Sequence, residues 1–228
     1  MVSQASNQPQ HYFVREPAVP SQPRTVKDRV RGISLVLTTD RGVFSHGRID
    51  AGTRLLAENM QLPAGARVLD LGCGYGVLGI VAAKMCPDCK VTMVDVNARA
   101  CALARENVAR NNAGPVEIIC GDAREVLKGR QFDVIVTNPP CRSGREVVLS
   151  LFEWAASALS ADGSLWAVIQ TNKGARRYAR DLQQWFGEVE TVRVWGGYRV
   201  IQAKRAHHVL EEETLGTTAS GDEGGSKP

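Results

Sequence analysis

Residues 68–79 read VLDLGCGYGVLG, and this stretch decides the fold. Val68 to Leu71 have the form of a short buried strand, and the apolar run from Val77 has the form of a helix. Between them Gly72, Gly74 and Gly76 stand at alternate positions, with Cys73 and Tyr75 interleaved. Glycine permits a tight turn and lets a ligand approach the backbone closely. The free N–H groups of the helix start then face that ligand. Asp70, two residues before the first glycine, suits a cationic ligand such as a sulfonium amino acid, or a backbone N–H that it can brace.

The run from Gly74 to Gly79 also matches G-x-G-x-x-G, so an NAD-binding oxidoreductase is an alternative. The register argues against it. Gly72 directly follows the strand, and counted from there the third glycine falls one residue early, at Gly76. A carboxylate at Asp70 would also repel a pyrophosphate.

Outward from this loop the chain alternates strand and helix. KVTMVDV, VEIIC, FDVIVT and SLWAVI read as strands. ARACALARENVARNN, VVLSLFEWAASAL and ARRYARDLQQWF read as helices. Such alternation predicts βαβ units and a mostly parallel sheet. VETVRVW and YRVIQAKR follow with no helix between them, joined at Gly196-Gly197, and predict an antiparallel edge. Upstream, LVLTTDRGVF predicts a β-hairpin turning at Asp40-Arg41-Gly42, and RIDAGTRLLAENM a short amphipathic helix. Residues 1–30, with Pro9, Pro17, Pro20 and Pro23, read as an extended arm. Residues 31–205 form the folded domain, and 206–228 read as a disordered tail.

Two further strands end on acids. Asp95-Val96-Asn97 closes the strand after the glycine loop, at the distance where a carboxylate accepts ribose hydroxyls. Asp95 or Asn97 also fits a helix cap. Asp122-Ala123 follows VEIIC, where a carboxylate can accept a bond from an adenine amino group. Ligands of open α/β sheets bind at this carboxyl edge.

The next strand reaches that edge as FDVIVTNPPCRSG, residues 132–144. Asn138-Pro139-Pro140 offers two fixed acceptors, the Asn138 side-chain oxygen and the Pro139 carbonyl. The prolines fix φ and remove N–H groups, so the carbonyl is held rigidly.

The glycine loop, the three acids and Asn-Pro-Pro together resemble the class I S-adenosylmethionine-dependent methyltransferases over about residues 50–205. The resemblance implies a Rossmann-like fold: a mostly parallel seven-stranded sheet with helices on both faces, an antiparallel C-terminal strand and an N-terminal hairpin. It implies S-adenosylmethionine as cofactor, held by Asp70, Gly72, Cys73, Gly74, Tyr75, Gly76, Asp95, Val96, Asn97, Asp122, Ala123 and Thr53. Asn138, Pro139 and Pro140 become the catalytic tip, where two acceptors orient a planar amine toward the methyl donor.

Asn-Pro-Pro is followed here by Cys141, where adenine and glutamine methyltransferases carry an aromatic residue. N-P-P-C-R-x-G, GVFSHGRIDAGTRLL and GGYRVIQAKR instead resemble the small-subunit ribosomal RNA guanine-N2 methyltransferases, in a short single-domain form. This implies methylation of a guanine N2, with ribosomal RNA or the small subunit as partner. It implies that the lead-in packs over the cofactor, which makes Phe44, Asp50, Gly52 and Thr53 candidate site residues, and it makes Phe44, Cys141 and Arg142 candidates around the substrate. A target base that is paired must be flipped into the pocket. DNA or RNA adenine N6, protein glutamine N5 and a catalytically idle RNA-binding module are the other readings.

Composition bounds these readings. The 228 residues carry a net charge of +4, with basic clusters at Arg24–Arg31, Lys173–Arg180 and Arg199–Arg205 that suit a polyanion. No apolar run is long enough to span a membrane. MVSQASNQPQ lacks the features of a signal peptide. The expectation is a cytoplasmic protein with its six cysteines reduced. Cys86-Pro87-Asp88-Cys89 is a lone C-x-x-C, so no metal site is expected. Trp154, Trp166, Trp185 and Trp195 read as core residues. The sequence leaves the oligomeric state open.

Overall fold

The computed structural model describes residues 15–205. The first fourteen residues of the expected arm and the expected tail from 206 lie outside the described residues. Strand and helix alternate as β3 (Arg67–Leu71), α2 (Val77–Met85), β4 (Lys90–Asp95), α3 (Ala98–Arg110), β5 (Val116–Cys120), a single turn α4 (Ala123–Val126) and β6 (Phe132–Thr137), after a lead-in that contains β1 (Arg24–Val30), β2 (Ile33–Thr39) and α1 (Ala51–Asn59). The chain then runs through α5 (Arg145–Ala158), β7 (Leu159–Gln170), α6 (Ala175–Leu182), β8 (Glu188–Trp195) and β9 (Tyr198–Lys204). The seven-stranded sheet has the order β5-β4-β3-β6-β7-β9-β8. All pairs are parallel except those of β9, which runs antiparallel to both neighbours. This is the expected Rossmann-like fold.

The order reverses between β3 and β6, which pair directly. That reversal opens a crevice at the carboxyl edge, and it sets Asp70 and Asn138 on its two sides. The central strands are apolar on both faces, as sandwiched parallel strands must be. One face packs Leu56, Ile80, Met93, Trp166 and Val200 beneath α1, α2 and α3. The other packs Ile135, Phe152, Leu159 and Ile201 beneath α5 and α6. Gly79 brings α2 onto β4, since a Cβ there would lie 2.3 Å from the Met93 methyl.

The hairpin is β1–β2, turning at Arg31-Gly32, rather than one centred on Asp40-Arg41-Gly42. Both turn residues have positive φ, which twists the strands correctly for a two-residue connection. The first strand therefore comes from residues read as the end of the arm. Its basic, polar sequence hides the strand, because the hairpin is largely exposed on that side.

The outer edge of β2 is satisfied by side chains. Asn107 accepts from the Thr38 N–H at 2.7 Å and donates to the Thr38 carbonyl at 2.9 Å. Asn111 does the same with Val36, at 2.9 and 2.8 Å. Four residues of helix rise about 6 Å and two residues of strand about 6.6 Å. The two amides therefore meet alternate β2 residues and act as a surrogate strand.

Two further expectations are corrected. Cys86 and Cys89 are joined by a disulfide instead of remaining thiols. The turn from α2 into β4 bonds the Cys89 N–H to the Cys86 carbonyl and brings the Cα atoms to 5.3 Å, within disulfide reach. Trp195 is 58% exposed rather than in the core, because β8 is the edge strand. Trp166 is buried, and Trp154 and Trp185 pack against the second cluster.

Candidate active site

The glycine loop is built on a branched anchor. The Gly72 and Cys73 N–H groups both donate to the Val94 carbonyl, at 2.9 and 3.0 Å. Gly72, Gly74 and Gly76 all adopt positive φ, and Gly76 caps α2. A Cβ placed on Gly72 or Gly74 would meet nothing within 4 Å, so the loop borders open space. Side chains there would be strained by the backbone and would fill the space a ligand needs.

Two acids brace this loop. Asp95 Oδ2 accepts from the Gly74 N–H at 2.8 Å, and its Oδ1 from the Asn97 N–H at 2.9 Å. Asp70 Oδ2 accepts from the Gly79 N–H at 2.8 Å. Asp70 is buried, and its Oδ1 has no partner. Burial, opposed by the Gly79 bond and reinforced by the Asp95 charge, pushes the Asp70 carboxyl up to about 7. Burial likewise raises Asp95. An unpartnered buried oxygen beside a second raised acid is a site that favours positive charge. A sulfonium amino acid fits it, while a pyrophosphate does not.

Asp122 reaches the same edge at the N-terminus of α4. It caps the Arg124 N–H and pairs with the Arg124 guanidinium, which lowers its carboxyl. Ala123 beside it is buried, and Val96 is half-buried. Asn97 is 1% exposed and its side chain is committed to the frame. It accepts from Arg99 and Ala100 as the cap of α3 and donates to the Gly42 carbonyl at 2.8 Å. Tyr75 turns away from the loop, its hydroxyl donating to the Arg48 carbonyl at 2.7 Å. Cys73 is buried, and burial raises its thiol. Asn97 and Tyr75 thus tie the lead-in to the glycine loop with their side chains.

On the far side of the crevice Asn138 extends β6. Its amide nitrogen donates to Asp50 Oδ2 at 3.1 Å and to Thr53 Oγ1 at 2.9 Å. With both hydrogens placed on α1, the Asn138 oxygen is left as the outward-facing acceptor. Asp50 also caps α1, accepting from the Thr53 N–H at 3.0 Å. Its second oxygen accepts from the Tyr198 hydroxyl at 3.2 Å, and that hydroxyl accepts from Gln170 at 2.9 Å. A Cβ on Gly52 would lie 2.6 Å from the Tyr198 ring, so Gly52 admits the tyrosine to this network. Thr53, read from the sequence as a cofactor residue, stands on the Asn138 side.

The Pro139 carbonyl accepts from the Cys141 N–H at 2.8 Å, and the Pro140 carbonyl from the Ser143 N–H at 2.8 Å. One lone pair of the Pro139 carbonyl remains for another donor. Cys141 is half-buried against the second core cluster, and Arg142 is exposed. Phe44 lies in the turns after β2 and is 44% exposed. Gln170 and Tyr198 are the site residues missed in the sequence. GGYRVIQAKR marked the segment, but nothing local signals that its tyrosine reaches Asp50.

Known proteins share this sequence pattern and fold. A family model described as the methyltransferase small domain matches residues 34–202. The chain is 39% identical over 198 residues to the uncharacterized protein YbxB of Bacillus subtilis, covering 86% of this chain and 98% of that one. It is 34% identical over 168 residues to ribosomal RNA small subunit methyltransferase C of Stutzerimonas stutzeri, covering 72% of this chain and 49% of that one. The fold matches that of the T. thermophilus 16S rRNA N2 G1207 methyltransferase (RsmC), solved with AdoMet and guanosine, at a TM-score of 0.73 and 29% identity. That match covers 83% of this chain and 52% of the other. The chain therefore spans about half the length of these RNA methyltransferases and nearly all of YbxB.

Proposed function

This chain belongs to the methyltransferase small domain family and is an S-adenosylmethionine-dependent methyltransferase, and we propose that its acceptor is the exocyclic N2 amine of a guanine in small-subunit ribosomal RNA. The observation that carries the reading is the fixed orientation of Asn138. An aromatic amine has its lone pair delocalised into the ring and is a poor nucleophile. The Asn138 oxygen and the free lone pair of the Pro139 carbonyl take its two N–H bonds. That holds the nitrogen lone pair toward the crevice, and Pro140 keeps the turn rigid. Rate then comes from positioning. A strong base is not needed before attack, since the amine becomes acidic only as it is alkylated.

The cofactor supplies an electrophilic methyl. Asp70 receives its positive charge, Asp95 and Val96 meet the ribose, Asp122 and Ala123 meet the adenine, and the backbone of Gly72 to Gly76 lines the approach. Phe44 offers a face to the target base, Cys141 forms the wall beside Asn138, and Arg142 meets a phosphate. The RNA partner is supported by the relatives' named substrate and by the basic residues along this edge. Among the described residues no helix is long and apolar enough to cross a membrane.

The test is transfer of labelled methyl from S-adenosylmethionine to small-subunit RNA, and to assembled subunits from cells lacking the protein. Label recovered as N2-methylguanosine, and lost with Asn138→Ala while cofactor binding persists, supports the reading. Label in adenosine, in large-subunit RNA or in protein would overturn it.

A further inference from the structure

The carboxyl edge of the sheet is divided by charge. On one side of the β3/β6 reversal the strand tips carry Asp70, Asp95 and Asp122. On the other side the segments after β6, after β7 and around the β8–β9 turn are residues 139–145, 170–180 and 191–199. These three segments contain no carboxylate. They present Arg142, Lys173, Arg176, Arg177 and Arg193, all exposed. One half is shaped for a cation and the other for a polyanion, with Asn138 at the boundary.

Within the basic half stands an indole. Trp195, the last residue of β8, is 58% exposed, and Val194 beside it is 51% exposed. The turn that presents them is stiff. Gly196 and Gly197 both have positive φ, as a tight two-residue hairpin requires. The Gly197 carbonyl accepts from the Thr171 N–H at 2.8 Å, which fastens the tip to the end of β7.

Trp195 pairs directly with Tyr198 across this turn, and Arg193 with Val200. Directly opposed residues of an antiparallel pair share a face. Trp195 and Arg193 therefore lie on the face of Tyr198, whose hydroxyl bonds Asp50, which in turn holds Asn138.

We infer that the β8–β9 tip is a contact for single-stranded RNA, in which the Trp195 indole stacks on an unpaired base flanking the target nucleotide. The inference rests on the RNA reading of Proposed function. Any base offers a π-face to an indole, and surrounding cations hold its phosphates, so this combination suits a single strand. The rigid tip presents the ring at little entropic cost on binding.

The test compares full-length wild type, Trp195→Ala and Trp195→Phe for binding a small-subunit RNA fragment in the presence of S-adenosylhomocysteine. Trp195→Ala should weaken RNA binding by roughly tenfold, and Trp195→Phe should restore most of it. Indole fluorescence should be quenched by RNA in wild type and lose that part of the quench in Trp195→Phe. At saturating RNA the methylation rate of Trp195→Ala should return close to that of wild type. Normal RNA binding by Trp195→Ala overturns the stack. So does a defect confined to assembled subunits, which would assign the tip to a ribosomal protein. The two readings fail separately. Label on guanine N2 with Trp195 irrelevant to RNA binding removes only the stack, and label on another base with a Trp195-dependent quench removes only the guanine assignment.

Discussion

Asp50 Oδ2 accepts an amide hydrogen of Asn138 at 3.1 Å, across 88 residues of sequence. This bond and the one from Thr53 decide which end of the Asn138 amide faces the crevice. The oxygen that Asn138 turns to the crevice is therefore set by α1 and its cap, not by the strand that bears it.

Asp50→Ala should lower the single-turnover methylation rate on the order of 10²-fold, the scale of a misplaced reacting group. It should also cost about 1 kcal/mol of stability through loss of the α1 cap. Asp50→Asn keeps the cap and one acceptor toward Asn138, so it should recover most of both. If Asp50→Ala reacts at the wild-type rate, Asn138 does not depend on it.

Gly52→Ala adds a methyl 2.6 Å from the Tyr198 ring. A helix interior gains up to about 1 kcal/mol from this exchange, but overpacking against a fixed ring costs about 1–3 kcal/mol. The net effect should be a lower Tm. In a Tyr198→Ala background the same change should become neutral or stabilising. A double-mutant cycle checks this, and simple additivity would count against the contact.

Asp70 gives the apo protein a pH signature. Its carboxyl is raised to about 7 by burial, so the folded state prefers the protonated form. Below about pH 4 both states are protonated and there is no penalty. As pH rises toward about 7 the unfolded state ionises and the fold loses on the order of 4 kcal/mol. Apo Tm should fall across that window, and Asp70→Asn should flatten the fall. S-adenosylmethionine should raise Tm more at pH 8 than at pH 6, because ionised Asp70 attracts its charge. An equal cofactor shift at both values would remove Asp70 from cation binding.

Asn107 is fully buried and serves the backbone of Thr38 and the Tyr75 carbonyl. Each buried backbone group left unpaired costs about 1–3 kcal/mol. Asn107→Ala should therefore destabilise the protein by about 3 kcal/mol or more, read by denaturant unfolding. The change should also loosen the glycine loop and weaken cofactor affinity. Wild-type stability in this variant would show that water replaces the clamp.

The parts legible in the sequence are those whose cause is local. Asp70, Asp95, Asp122 and Asn138 each end a strand whose apolar run can be read directly, and a parallel sheet brings all such ends to one edge. The glycine loop is legible because its φ angles exclude most other residues. Tyr198 is different, since its contact with Asp50 spans 148 residues and is created by where β9 lies in the sheet. Trp195 was misplaced for the same reason: a strand pattern does not tell an edge from a centre. The β1–β2 turn was hidden because Arg31 adopts positive φ without being glycine. The Cys86–Cys89 pair follows from the turn between α2 and β4, which a reading by cellular compartment overlooks.

The position of β9 has a consequence for how the enzyme comes into being. β8 meets the sheet only through β9, which lies between it and β7. The strand that seats β8 is therefore the last in chain order among the described residues, and it also delivers Tyr198 to Asp50. A chain in which β9 has not yet paired has its glycine loop and Asn138 but lacks the Tyr198 bond to the Asp50 that holds Asn138. The hydrogen bond from Tyr198 to Asp50 is thus present only once β9 has paired with β7.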